Sequence, residues 1–125
     1  MLKKISISNF AIIDSLEVSF LDGMTSVTGE TGAGKSIILD ALSLVLGKRA
    51  DLNYLKDSSV KCIIEASFDI SNYNLKGFFT SEDLDYYEET ILRRELIPSG
   101  KSRSFINDTP VTLDLLNRIS SSLID

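Results

Sequence analysis

The chain has 125 residues, 43% hydrophobic and 25% charged, which fits one globular domain of ordinary composition. Its formal net charge of −5 argues against a stand-alone nucleic-acid binder, which carries a basic excess. His and Trp are absent and Cys62 stands alone, so imidazole acid–base chemistry, a His metal site and an internal disulfide are excluded within these residues.

The first 28 residues predict a three-strand meander. Ile5 and Ile7 alternate with Lys4, Ser6 and Ser8, and Leu16, Val18 and Phe20 alternate with Ser15, Glu17 and Ser19. Such alternation gives each strand one dry face and one wet face, as in antiparallel sheets. Leu21-Asp22-Gly23-Met24 is a turn into a short third strand, Met24 to Thr28.

Gly29-Glu30-Thr31-Gly32-Ala33-Gly34-Lys35-Ser36 follows, the G-x-x-x-x-G-K-[ST] pattern of a P-loop. Its glycines let the backbone curl with N–H groups turned inward and nothing barring a phosphate. Lys35 supplies charge for the β- and γ-phosphates, and the Ser36 hydroxyl is a ligand for Mg²⁺ carried by ATP. Ser36 to Leu46 predicts a helix stopped by Gly47, its dipole aimed at the same anion. Strand, loop and helix in this order are the context the motif requires. The helix is apolar nearly all round, so it is expected to be central and packed between layers.

Lys48 to Val60 shows little periodicity. Cys62, Ile64, Ala66, Phe68 and Ile70 alternate as a strand, and Ser71 to Asp85 is a polar connection with a short helix. Tyr87 to Ile97 reads as a long strand, Pro98-Ser99-Gly100 as a turn, and Ser102 to Ile106 as the returning strand. Asn107-Asp108 is a tight turn into Thr109-Pro110-Val111, and Thr112 caps a last helix through Leu113, Leu115, Leu116, Ile119 and Leu123.

Other residues carry paired readings. Arg49 follows the P-loop helix as a contact for a γ-phosphate or DNA, or as a cation near a helix end. Arg93, Arg94 and Arg103 read as a basic or simply solvated strand face. Asn9 to Ile13 is either a flank for adenine or ordinary sheet packing. Cys62 is a core residue, and Phe78-Phe79 is a cluster anchor or an exposed patch.

Several segments come in the order of one family. Asn9-Phe10-Ala11-Ile12-Ile13-Asp14, the P-loop, Leu39-Asp40-Ala41-Leu42 and Leu46-Gly47-Lys48-Arg49-Ala50-Asp51 are followed by Arg94-Glu95 and Ser102 to Asn107. They resemble the N-terminal ATPase lobe of the RecN family of bacterial DNA double-strand-break repair proteins. These are similar to structural-maintenance-of-chromosomes (SMC) proteins, with an ABC-type ATPase head split by a coiled coil. The resemblance implies an α/β fold with an antiparallel meander and a mixed sheet around a buried P-loop helix. It implies ATP and Mg²⁺ as cofactors, and ATP joining two copies of the head. It further implies that the chain's own C-terminal lobe completes the head, that the full protein holds DNA, and a cytoplasmic, nucleoid-associated location without membrane. Residues 1–125 then form one incomplete lobe. The Gln and switch His of such a head are absent, as are a signature loop and a Walker B pair. These residues alone are therefore expected to bind nucleotide at most weakly and without turnover, and to self-associate through apolar surface that the missing lobe would cover. Two alternatives stand beside this reading. One is a small P-loop kinase or GTPase, which the missing Asn-Lys-x-Asp motif and the preceding meander disfavour. The other is an interaction module with a vestigial loop, which intact Lys35 and Ser36 disfavour.

Overall fold

The computed structural model describes residues 1–21, 24–26, 32–50 and 52–123; the side chains of residues 21, 24–26, 32–35 and 52 lie outside the description. Strands β1 (Leu2–Phe10), β2 (Ile13–Leu21) and β3 (Met24–Ser26) form the expected meander. Helix α1 (Gly32–Val45) then carries the chain past β2 and β1 to β4 (Cys62–Asp69), which pairs with the free side of β1. Short helix α2 (Lys76–Ser81) leads to β5 (Glu89–Leu96), β6 (Ser102–Ile106) and β7 (Thr109–Val111), and α3 (Leu113–Leu123) follows.

Among the described residues the result is one seven-stranded sheet in the order β3-β2-β1-β4-β5-β6-β7. Every pairing among the described residues is antiparallel, so the expected mixed sheet is an antiparallel one. The physical reason is the connectivity: β1–β2, β5–β6 and β6–β7 are hairpins, the link through α2 returns β5 antiparallel beside β4, and the long link through α1 enters β4 against the direction of β1.

Register makes the two faces chemically distinct. Leu16, Ile7, Ile64, Arg94, Ser104 and Val111 line one row across six strands, next to the row Val18, Ile5, Ala66, Leu92 and Ile106. This is the dry face, and α1 packs on it over β1, β4 and β5 while α3 packs on β6. The opposite face carries Lys4, Glu17, Glu65, Arg93 and Glu95 in ion pairs with one another. Alternation in β4 thus sorts as expected, with Cys62, Ile64, Ala66 and Phe68 all buried.

Turn chemistry follows the sequence. Asn107 and Asp108 have φ of 49° and 67°, the doubly left-handed backbone that a type I′ turn requires. The Leu115 N–H donates to Thr112 Oγ1 at 3.1 Å, the N-cap of α3. Phe79 is fully buried between Phe78 and Tyr86, with ring centroids at 6.0 and 5.4 Å, so the Phe pair anchors a cluster.

Helix α1 departs from expectation. Ala41, Leu44 and Val45 are buried, but Ile37, Ile38, Leu42 and Leu46 are half-buried and Leu39 is 62% exposed. The sheet covers one side, and no second layer lies over the other among the described residues. No helix among the described residues is long and apolar enough to cross a membrane.

Candidate functional site

The P-loop sequence sits where an edge strand gives way to a helix. Gly29, Glu30 and Thr31 lie outside the described residues. Gly32, Ala33, Gly34 and Lys35 form the backbone of the first turn of α1, with their side chains outside the description, and Ser36 is exposed in the same helix. The helix therefore starts inside the motif, and a ligand at its N-terminus meets unpaired N–H groups and the positive end of the dipole. Among the described residues no three His, Cys, Asp or Glu gather as a metal site, and the exposed Ser36 hydroxyl is an oxygen donor near the start of the helix.

The far end of α1 is tied down unusually well. Gly47, at φ 117°, closes a Schellman motif: its N–H donates to the Leu44 carbonyl and the Lys48 N–H to the Ser43 carbonyl, each at 3.1 Å. The last turn of α1 contains no basic residue. The cation comes instead from β5. Arg94 is 1% exposed, and its Nη1 donates to the carbonyls of Leu44 at 2.6 Å and Lys48 at 2.8 Å. Its Nη2 donates to Ser102 Oγ at 3.1 Å. A guanidinium at a helix C-terminus complements the dipole, while burial lowers its pKa from the usual Arg value.

This corrects the reading of Arg93, Arg94 and Arg103 as one face. Strand alternation sends Arg94 into the core. Arg93 lies on the opposite face, where it pairs with Glu65, Glu95 and Asp108 at 3.8, 3.3 and 2.6 Å and stacks 4.1 Å from the Phe105 ring centroid. Arg103 is exposed opposite Glu95. The signal for Arg94 was in the sequence: Leu92, Arg94 and Leu96 share one parity.

Arg49 is exposed beyond the C-terminal end of α1, whereas Ser36 is near its start. At 1.5 Å per residue, a helix of 14 residues is about 20 Å long. The structure thus does not bring Arg49 and Ser36 together within one chain.

Of the Asn9 to Ile13 segment, Asn9 is committed to structure. Its Nδ2 donates to the carbonyls of Asp57 at 3.0 Å and Val60 at 2.8 Å, and its Oδ1 accepts from the Asp57 N–H at 2.7 Å. Phe10 is buried and stacks on Tyr54 with centroids 5.0 Å apart. Ala11, at φ 54°, is held by its N–H bond to the Tyr54 carbonyl at 2.6 Å, and Ile12 projects 76% exposed at the hairpin tip. Only that tip is free to meet a ligand.

Residues 4–124 match the AAA domain family. The DNA repair protein RecN of Vibrio cholerae is 44% identical over 127 residues, covering 100% of this chain and 23% of that protein. RecN of Bacillus subtilis is 42% identical, covering 100% and 22%. The chain thus spans under a quarter of the length of these relatives. Among solved structures, an SMC ATPase superimposes with a TM-score of 0.76 at 19% identity, over 98% of this chain and 79% of the other. An Smc head bound to the C-terminal winged-helix domain of ScpA gives 0.75 at 21%, over 99% and 40%. The recombination mediator RecF with ATP gives 0.63 at 17%, over 89% and 27%. The fold is that of an SMC-type or RecF-type ATPase head, α/β with an antiparallel sheet.

Proposed function

The chain belongs to the AAA domain family, and from that premise we propose that residues 1–125 are the nucleotide-holding lobe of a RecN-like ATPase head. The observation that carries this is the junction of β3 and α1, where the helix begins inside a complete P-loop sequence. Gly29 to Gly34 would wrap the phosphates of ATP, Lys35 would neutralise the β- and γ-phosphates, and Ser36 would hold Mg²⁺. Bound Mg²⁺ would supply charge neutralisation at the transferring phosphoryl group.

Hydrolysis needs a group that orients the attacking water; these residues hold neither Gln nor His, and no Asp-Glu pair follows an apolar strand as a Walker B motif would. The lobe therefore binds nucleotide and leaves turnover to other residues of the head. ATP bound here joins one head to a second copy, and the cycle governs how the parent protein holds DNA during break repair in the cytoplasm. The SMC ATPase likeness supports the dimer, since that protein is described as dimerising under ATP. The bare side of α1, with Leu39 exposed, supports a covering C-terminal lobe or, in its absence, self-association.

The test is titration of a fluorescent ATP analogue into the full-length parent and its Lys35→Ala variant. Binding that is saturable in the first and lost in the second is the expected result. Equal affinity in both removes the P-loop from the function.

A further inference from the structure

A second cationic site stands apart from the P-loop, at the opposite end of α1. The argument begins with Arg94. Buried charges are normally paired with an opposite charge, because desolvation is otherwise uncompensated. Yet no carboxylate lies within ion-pair distance of Arg94 among the described residues, while Arg93 beside it has three. Carbonyl and hydroxyl dipoles are its partners, and its Nε has none.

Arg94 lines a cavity of about 190 Å³ between the segment after α1 and the β5–β6 hairpin. Arg49 and Lys101 line it too, with Ser102, whose hydroxyl accepts from Arg94 and keeps its own proton to donate. Among the described residues no acidic side chain lines the cavity, and neither Arg49 nor Lys101 has an ion pair. Three cations therefore converge in a chain whose net charge is −5. The space exceeds the roughly 30 Å³ of one water several-fold. The planar fork of Arg suits a tetrahedral oxyanion. The basic character is local: Arg103, the next cation on the hairpin, faces the other side of the sheet opposite Glu95. The geometry thus suits one anionic group rather than a polyanion track.

We propose that this cavity binds a single phosphate-type oxyanion on Arg94, Arg49, Lys101 and Ser102. The site does not rest on the nucleotide reading, because α1 separates it from the P-loop. Its role is to supply the counter-charge that the fold leaves out, locking the C-terminal end of α1 to the β5–β6 hairpin.

The test uses inorganic phosphate and the full-length parent carrying Lys35→Ala, which silences the P-loop. Calorimetry at constant ionic strength should show saturable binding. Arg49→Ala/Lys101→Ala alters exposed side chains and should fold; it should weaken phosphate about tenfold or more, the scale of one lost charge-assisted bond. Ser102→Ala should weaken it less, and Arg103→Ala should leave it unchanged. Absence of saturable binding, or equal affinity in the double variant, overturns the proposal. So does a DNA duplex that displaces phosphate at a far lower concentration of phosphate groups, since the cavity would then belong to a nucleic-acid track. Loss of the ATP analogue in Lys35→Ala reports on the P-loop alone, so the two readings fail separately.

Discussion

Replacing Arg94 by Met tests how much of the P-loop helix depends on a cation supplied by a distant strand. Met keeps an unbranched stem in the same buried slot but has no donor. Three bonds vanish, at 2.6 and 2.8 Å to the carbonyls of Leu44 and Lys48 and at 3.1 Å to Ser102. The Leu44 carbonyl keeps the Gly47 N–H at 3.1 Å, so the Lys48 carbonyl bears most of the loss. A hydrogen bond to a charged group contributes about 1.5–3 kcal/mol, which puts the two carbonyl bonds at about 3–6 kcal/mol. Relief of the buried charge offsets part of that. A net loss of about 2–3 kcal/mol is expected, with Arg94→Lys in between because an ammonium still reaches a carbonyl. Denaturant unfolding of the parent protein gives the magnitude. Hydrogen exchange gives the place: the Gly47 and Lys48 amides should lose protection before those of β4. A midpoint shift equivalent to less than about 0.5 kcal/mol, the range of an inert surface change, refutes the argument.

Gly47→Ala should cost about 1–3 kcal/mol by thermal unfolding, because φ is 117° and the new Cβ runs into the side-chain amide of Asn117. Adding Asn117→Ala should return only part of it, since the backbone strain stays. Asn9→Ala removes the bonds that hold residues 57–61 and places Ala at φ 55°; exchange and proteolysis should rise in that segment, with a loss of about 2 kcal/mol. Burial raises the Cys62 pKa from 9.0 to about 12. The unfolded chain releases this proton first, so the Cys62 contribution to stability is whole below pH 9 and lost as pH rises through 9 to 12. Cys62→Ala should flatten the alkaline fall in stability over that window, and the native thiol should resist Ellman's reagent at pH 8.

Local rules made the elements legible, and distance along the chain hid what joins them. Strand β4 shows itself because every second residue is apolar, and the turn at Asn107-Asp108 because few other residue types tolerate its backbone. The role of Asn9 has no such trace: its partner Asp57 lies 48 positions away, in a segment without periodicity. Arg94 falls between these cases. Its parity with Leu92 and Leu96 marked it as inward, but a charge in a strand reads as solvated until the carbonyls that receive it are seen. The sheet order was hidden for a related reason, since nothing local says that the chain leaving α1 returns to the free edge of β1 rather than extending beyond β3.

The same logic explains α1. An apolar circumference tells how much surface a helix must bury, not what buries it. Here the sheet takes the side of Ala41, Leu44 and Val45, and Leu39 is left bare. A lone helix with one side uncovered would be free to slide along the sheet. Three ties at its C-terminal end oppose that: the left-handed Gly47, the abutting Asn117 and the Arg94 fork. On the proposed function, the first turn with Ser36 is the end that would meet a phosphate. If that is how the lobe works, loosening the tie should weaken nucleotide binding at the other end. Arg94→Lys should then lower affinity for an ATP analogue even where overall stability stays high, whereas unchanged affinity would mean that the full Arg94 fork is not needed to set the first turn of α1.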